Sequence, residues 1–189
     1  YAPEQIVAKI RTAGLVGMGG AAFPTAVKLT ANPKKPVDTV MLNGCECEPY
    51  LTSDHRLMVE APGPIVAGLR LAMRACGAKR GIIAIEDNKP DAISVMLAAM
   101  KDVPGVQLAI CRTKYPQGGE RQLIKAVLKR DVPTGGLPLD VGVVVCNVAT
   151  ASAITWAVVR DEPLTGRIVT VTGRGVKQPG NFMAPMGML

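Results

Sequence analysis

Val141-Gly142-Val143-Val144-Val145-Cys146, running into Asn147-Val148-Ala149-Thr150, is the stretch on which the fold reading turns. The first six residues form a short apolar run rich in β-branched side chains, as expected of a strand buried on both faces. From Ala149 to Arg160 the spacing becomes helical, and Asn147 stands where an ordinary helix N-cap would. Working outward, the same alternation recurs. Val37–Leu42 reads as a buried strand that opens into a polar loop, Asn43–Asp54. Pro62–Cys76 is helical, with Gly77 as its stop. Gly81–Ile85 is a strand ending at acidic Glu86-Asp87, and Pro90–Met100 is a helix opened by proline. Val106–Cys111 is a third strand, followed by a helix over Gly119–Lys129 whose basic end suits a C-terminus. A Pro/Gly-rich connection, Val132–Pro138, leads back to the first quoted strand. Near the start, Ile6, Val7 and Ile10 have helical spacing between Pro3 and Ala13. Strands alternating with helices predict an α/β class, with a Rossmann-like, mostly parallel sheet and helices on both faces. Ligands of such folds sit beyond the carboxyl ends of the strands.

The expected division is an α/β domain over residues 1–165 and the start of a small β-rich domain over 166–189, opened by the strand Arg167–Gly173. The chain begins at Tyr1 and stops at Gly187-Met188-Leu189 soon after that strand, so it reads as a piece of something longer.

Composition narrows the class further. Of 189 residues 48% are hydrophobic and only 3% aromatic, so the core must be aliphatic. That suits a sheet sandwiched between helices and fits a stacking-based RNA reader poorly. No apolar run approaches the roughly 20 residues that span a bilayer, so no direct membrane insertion is expected and the piece should be soluble. The net charge of +7 is scattered over pairs such as Lys34-Lys35, Lys79-Arg80 and Lys129-Arg130. It forms no dense block, which argues against nucleic acid and is compatible with a phosphate-bearing small ligand. Five cysteines form no C-x-x-C pair, so they read as reduced, mostly buried thiols and no metal site is expected.

Four polar or glycine-rich segments could carry chemistry. Gly17-Met18-Gly19-Gly20-Ala21-Ala22-Phe23-Pro24-Thr25 offers bare backbone that could approach a flat ring or a phosphate, although a plain turn would also use it. Asn43-Gly44-Cys45-Glu46-Cys47-Glu48 presents two carboxylates just past a strand end, with an amide able to donate and accept. Tyr115-Pro116-Gln117-Gly118-Gly119-Glu120 leads into a helix N-terminus, either as an anion site or as a simple cap. Cys146-Asn147-Val148-Ala149-Thr150 does the same at the next helix. Three of the four directly follow a predicted strand, so one cleft could collect them all.

In this order and spacing the four segments resemble the flavin-bearing NADH-oxidising subunit of respiratory complex I, and more closely the C subunit of the Rnf electron-transport complex. The strings Gly19–Thr25, Asn43–Thr52 and Pro133–Thr150 carry the likeness to Rnf, which covers nearly the whole chain. Met18, Cys45, Gly119 and Cys146 depart from the complex I pattern, where Arg, Asp, Glu and Asn are usual; such departures are expected of the Rnf branch.

The resemblance implies an electron-transfer flavoprotein that passes electrons between NADH and FMN. It also implies iron–sulfur clusters outside this piece and other subunits of a membrane-bound, ion-translocating complex, with the parent peripheral on the cytoplasmic side. Gly17, Gly19 and Gly20 would leave room for stacked rings, Phe23 would face the nucleotide and Lys28 would supply a positive charge. Asn43 would bond the flavin, with Glu46 and Glu48 as the catalytic pair on the nicotinamide side. Tyr115, Gly118, Gly119 and Glu120 would border the cofactors, Glu120 toward a ribose. Asn147 and Thr150, at a helix N-terminus, would hold the FMN phosphate. The segment from 166 resembles the start of the family's β-grasp domain. Two alternatives remain: a nucleotide-binding or scaffolding module without redox activity, and a relative of the cobalamin reductase of propanediol utilisation.

Overall fold

The computed structural model describes residues 1–188. Helix α1 (Pro3–Thr12) buries Ile6, Val7 and Ile10, and a short α2 (Thr25–Leu29) follows the glycine-rich segment. Strand β1 (Thr39–Gly44) then leads to α3 (Ser53–Glu60) and α4 (Pro62–Cys76). Next come β2 (Arg80–Glu86), α5 (Pro90–Ala99), β3 (Val106–Cys111) and α6 (Glu120–Leu128). A 3-10 turn (Pro138–Val141) precedes β4 (Val143–Asn147) and α7 (Val148–Arg160). Strands β5 (Gly166–Val171) and β6 (Gly180–Pro185) close the chain.

The first four strands form one sheet in the order β3-β2-β1-β4, with every neighbour parallel. The aliphatic composition is used as expected. On one face Val40, Leu42, Ile83, Ile85, Val144 and Cys146 pack beneath α4, α5 and α7. On the other, Met41, Ile82, Ala84, Val143 and Val145 meet Leu123 and Ile124 of α6. Helices α4 and α7 lie close: Thr155 Oγ1 donates to the Pro64 carbonyl at 2.7 Å, and a side chain at Gly68 would strike the Ala151 carbonyl.

The strand order decides where a ligand can enter. The chain moves from β1 to β2 to β3 in one direction, then returns past β1 to reach β4. The return runs over the opposite face, through α6. The β1–β4 junction is therefore the topological switch point, where connections leave to opposite sides and open a crevice at the carboxyl ends. Asn43 of β1 and Asn147 of β4 are register partners there.

Three elements lay outside the sequence expectation. The expected loop Asn43–Asp54 is shorter, because β1 runs on to Gly44 and α3 begins at Ser53. Helix α2 follows the glycine-rich segment, where no helix was expected. The strand expected from Val141 starts at Val143, since Pro138–Val141 coils into a 3-10 turn closed at Gly142 in the left-handed region.

Strands β5 and β6 form a separate antiparallel pair, Gly166 opposite Pro185. The expected second domain over 166–189 thus contains a hairpin within its described residues; Leu189 lies outside them. Thr52 ties the hairpin to the α/β body through its backbone N–H to Thr170 Oγ1 and its hydroxyl to Asn181. Among the described residues no helix is long and apolar enough to cross a membrane.

Candidate functional site

A cleft of about 1110 Å³ opens at the switch point, and all four polar or glycine-rich segments line it. That volume lies just above the roughly 300–1,000 Å³ usual for small-molecule sites. A smaller polar recess of about 270 Å³ adjoins it and shares Glu46, Cys47, Glu48, Leu51 and Tyr115 with its wall. The larger space is the main site, because only it reaches the switch point and the glycine-rich loop.

Residues far apart in sequence are bonded directly to one another around the cleft. Gly17 to Phe23 form a tight loop closed by the Gly17 N–H to the Phe23 carbonyl, 2.9 Å. Met18 N–H donates to Thr150 Oγ1 of α7 at 2.9 Å. A side chain at Gly19 would sit 2.8 Å from Asn147 Cβ, so only glycine permits the loop to lie on the β4–α7 junction. Lys28 Nζ donates to the Val145 carbonyl at 2.8 Å and pairs with Glu120 at 3.4 Å. Asn43 Nδ2 donates to the Gly118 carbonyl at 2.8 Å, while its Oδ1 accepts from Cys45 N–H at 3.0 Å. A side chain at Gly118 would lie 2.3 Å from the Cys45 carbonyl, which bars any substitution without backbone movement.

Several expected ligand contacts therefore already have protein partners. Both ends of the Asn43 amide clamp the β1 and β3–α6 loops together. Asn147 is the N-cap of α7: its Oδ1 accepts from Ala149 and Thr150 N–H, and its Nδ2 donates to Asp54 at 2.5 Å. Thr150 is buried and holds the glycine loop. Glu46 is buried too, and its carboxylate accepts from Ser53 Oγ and from the N–H groups of Asp54 and His55, at 3.0–3.2 Å. It thereby neutralises the free donors and the positive dipole end of α3. Glu48, Phe23 and Tyr115 stay exposed on the cleft wall, and Gly20 leaves open space where a Cβ would stand. Gly17, Gly119 and Glu120 complete the same wall.

Two site residues escaped sequence reading. Asp54 lines the cleft, and its carboxyl is pushed up to about 7 by burial first and then by the nearby Glu46 carboxylate. Arg167, on β5, donates from Nη2 to the Met18 carbonyl at 2.6 Å; its Nε is buried and unpartnered among the described residues. Asp54 fell inside an expected loop, and Arg167 lay beyond the expected domain boundary. The signal that could have found Arg167 is a lone cation opening a strand that must pack near a cleft already rich in glycine.

The thiols behave as small core groups. All five cysteines are free and four are buried. Cys45 is held protonated by its hydrogen bond with Cys111 and by burial, and burial pushes Cys146 up to about 11.

The residues fit a flavin mononucleotide on grounds of shape and charge. The cleft has ample volume and glycine backbone in its lining, with Lys28 and Arg167 as cations and Asn147, Ala149 and Thr150 at the start of α7. Comparison with known proteins points the same way. Residues 10–156 match the Nuo51 FMN-binding domain. The chain is 46% identical over 185 residues to the C subunit of the Na(+)-translocating ferredoxin:NAD(+) oxidoreductase complex of Acetobacterium woodii, covering 98% of this chain and 42% of that protein. It is 47% identical over 184 residues to the proton-translocating counterpart of Clostridium ljungdahlii, covering 97% and 40%. With the C subunit of the ion-translocating oxidoreductase complex of Salmonella choleraesuis it shares 43% over 187 residues, covering 99% and 26%. The likeness to the Rnf C subunit thus holds along nearly the whole chain, which itself spans between about a quarter and two fifths of these relatives. Among solved structures, an NAD+-reducing NiFe hydrogenase in its H2-reduced state superposes with a TM-score of 0.86 at 27% identity, over 98% of this chain and 37% of that one. With more than three quarters of its length matched, this chain belongs to the family of the Nuo51 FMN-binding domain.

Proposed function

We propose that the chain is the FMN- and NAD(H)-binding part of an Rnf-type C subunit, exchanging electrons between NADH and FMN within an ion-translocating oxidoreductase. The observation that carries this reading is the meeting of the Gly17 loop, Asn43, Glu120 and Asn147 around one cleft at the sheet's switch point. Bound FMN would supply the hydride acceptor; the protein's part is to bind, orient and exclude water.

Gly17 and Gly19 let the loop fold tightly onto itself and onto the β4–α7 junction, and Gly20 leaves open space in which flat rings would stack. Phe23 offers its exposed face to the nucleotide. Lys28, fixed by the Val145 carbonyl and Glu120, is the cation that would favour negative charge on a flavin held in the cleft. Asn43 acts by fixing the Gly118–Gly119 turn against β1, with Tyr115 at the rim. Asn147 and Thr150 would orient the first turn of α7 toward a phosphate, with Arg167 as a further cation in the cleft lining. Glu46 and Glu48 border the nicotinamide side, Glu46 by anchoring α3 and Glu48 with a carboxylate turned to the cleft. Glu120 is placed to accept from a ribose hydroxyl.

On this reading β5 and β6 begin a β-grasp domain, and clusters elsewhere in the parent chain take electrons onward. The parent is peripheral on the cytoplasmic face of the membrane and works with the other subunits of the complex. Relatives named as C subunits of ion-translocating ferredoxin:NAD(+) oxidoreductase complexes support the place in a multi-subunit complex.

Incubation with FMN, desalting and a visible spectrum test the proposal. A yellow protein bleached by NADH is expected; a colourless protein that is merely stabilised by NADH would replace it with a binding module. Glu48→Gln should slow flavin reduction by NADH at least about tenfold and leave FMN retention intact.

A further inference from the structure

The recess of about 270 Å³ beside the cleft has a floor that the reading above leaves unused. Glu86, the last residue of β2, is 1% exposed, and among the described residues neither of its carboxylate oxygens has a hydrogen-bond partner. Lys89, 7% exposed, places Nζ 3.7 Å from Glu86 Oε2, too far for a hydrogen bond, and bonds Asn88 Oδ1 at 3.3 Å. Buried polar groups are nearly always partnered, so a desolvated carboxylate with about four open acceptor positions asks for donors from elsewhere. The adjoining ammonium disfavours a cation there and offers a donor of its own. At the rim, Tyr50 and Tyr115 are 79% and 73% exposed, with their rings available for stacking. Acceptor, donor and flanking rings together match a flat heterocycle whose edge carries an N–H donor beside an acceptor. The volume admits one such ring and no dinucleotide.

We propose that this recess is a base-reading subsite for NAD(H), in which Glu86 accepts from the exocyclic amine or amide of one of its two bases and Lys89 donates to the neighbouring acceptor. The inference rests on the functional reading above and adds two residues to it. Both bases carry such an edge: the nicotinamide carboxamide, and the adenine amine with its ring nitrogen.

Calorimetric titration of the FMN-loaded chain separates these sources. The probes are NAD+, its analogue with a carboxylate in place of the carboxamide, and its analogue with hypoxanthine in place of adenine. Glu86→Gln and Lys89→Met, checked for folding by circular dichroism and for unchanged FMN affinity, should each weaken NAD+ by about tenfold, as expected for one lost charge-assisted hydrogen bond. Wild type should reject one analogue, and Glu86→Gln should recover it; which analogue responds names the base. Unchanged NAD+ affinity in both folded variants overturns the subsite. Weaker NAD+ binding with no recovery of either analogue also overturns it, because Glu86 would then be shaping the wall and not reading a base. Failure of wild type to bind NAD+ at all would remove the functional reading and this inference together.

Discussion

Asp54 shows how one residue's environment becomes a measurable property of the whole protein. Its carboxyl sits against Asn147 and near Glu46, with its pKa raised from 3.8 to about 7 chiefly by burial. A carboxyl with a raised folded pKa keeps its proton in the native state after the unfolded chain has released it. Its contribution to stability is complete below about pH 4 and is lost as the pH climbs toward 7, the reverse of an ion-paired aspartate. Asp54→Asn, which keeps the uncharged form and an acceptor for Asn147, should therefore gain Tm relative to wild type across that window. The difference should level off above it; a constant offset from about pH 4 to 8 would contradict the assignment. Gly20 makes the opposite case, a residue whose lack of a side chain the packing of the fold does not require. No protein atom lies within 4 Å of where its Cβ would be. Gly20→Val should fold with wild-type Tm and lose at least about tenfold in FMN affinity, by occupying the ring's space. Unchanged affinity, read by flavin fluorescence quenching, would count against stacked rings at that loop.

Among the elements, α3 depends most on a partner from outside itself. Thr52 stands at its N-cap position but makes no side-chain cap bond, and the donors of the first turn are met by Glu46 from the preceding loop. Glu46→Ala should destabilise the protein by about 1–3 kcal/mol, the range for lost charged caps and buried unpaired donors. Urea unfolding measures this directly, and a change below about 0.5 kcal/mol, the range of ordinary surface substitutions, would show that Glu46 is not the cap. Element boundaries also show where local patterns were readable. Pro62–Cys76 and Val106–Cys111 coincide with the sequence expectation, because each has unbroken periodicity and clear punctuation. Helix α3 had no counterpart in the sequence expectation, since its cap lies seven residues upstream and no local motif announces it. Helix α2 has only five residues, too few for a period to register.

Across the whole molecule, strand β5 of the terminal hairpin forms one wall of the cleft. Arg167 to Thr170 line it, and Arg167 bonds the glycine-loop carbonyl of Met18. The cleft thus draws its lining from both sides of position 166. Arg167→Met should lower FMN affinity several-fold and reduce its salt sensitivity only slightly, since a half-buried cation is poorly screened. Equal FMN affinity in the variant would remove Arg167 from the site and leave it as a tie for the hairpin.

The α/β class, the parallel sheet and the four segments that line the cleft were all legible in the sequence, because strand and helix periods and glycine punctuation are local properties. Which hydrogen bonds those segments make was settled only by the tertiary structure. Asn43, Glu46 and Asn147 look like ligand-facing polar groups in the chain, yet each holds protein N–H or C=O groups once the loops meet. Asp54, Glu86 and Arg167 carry no motif at all; burial beside the cleft or its recess is what gives them chemistry, and burial depends on the packing of distant elements.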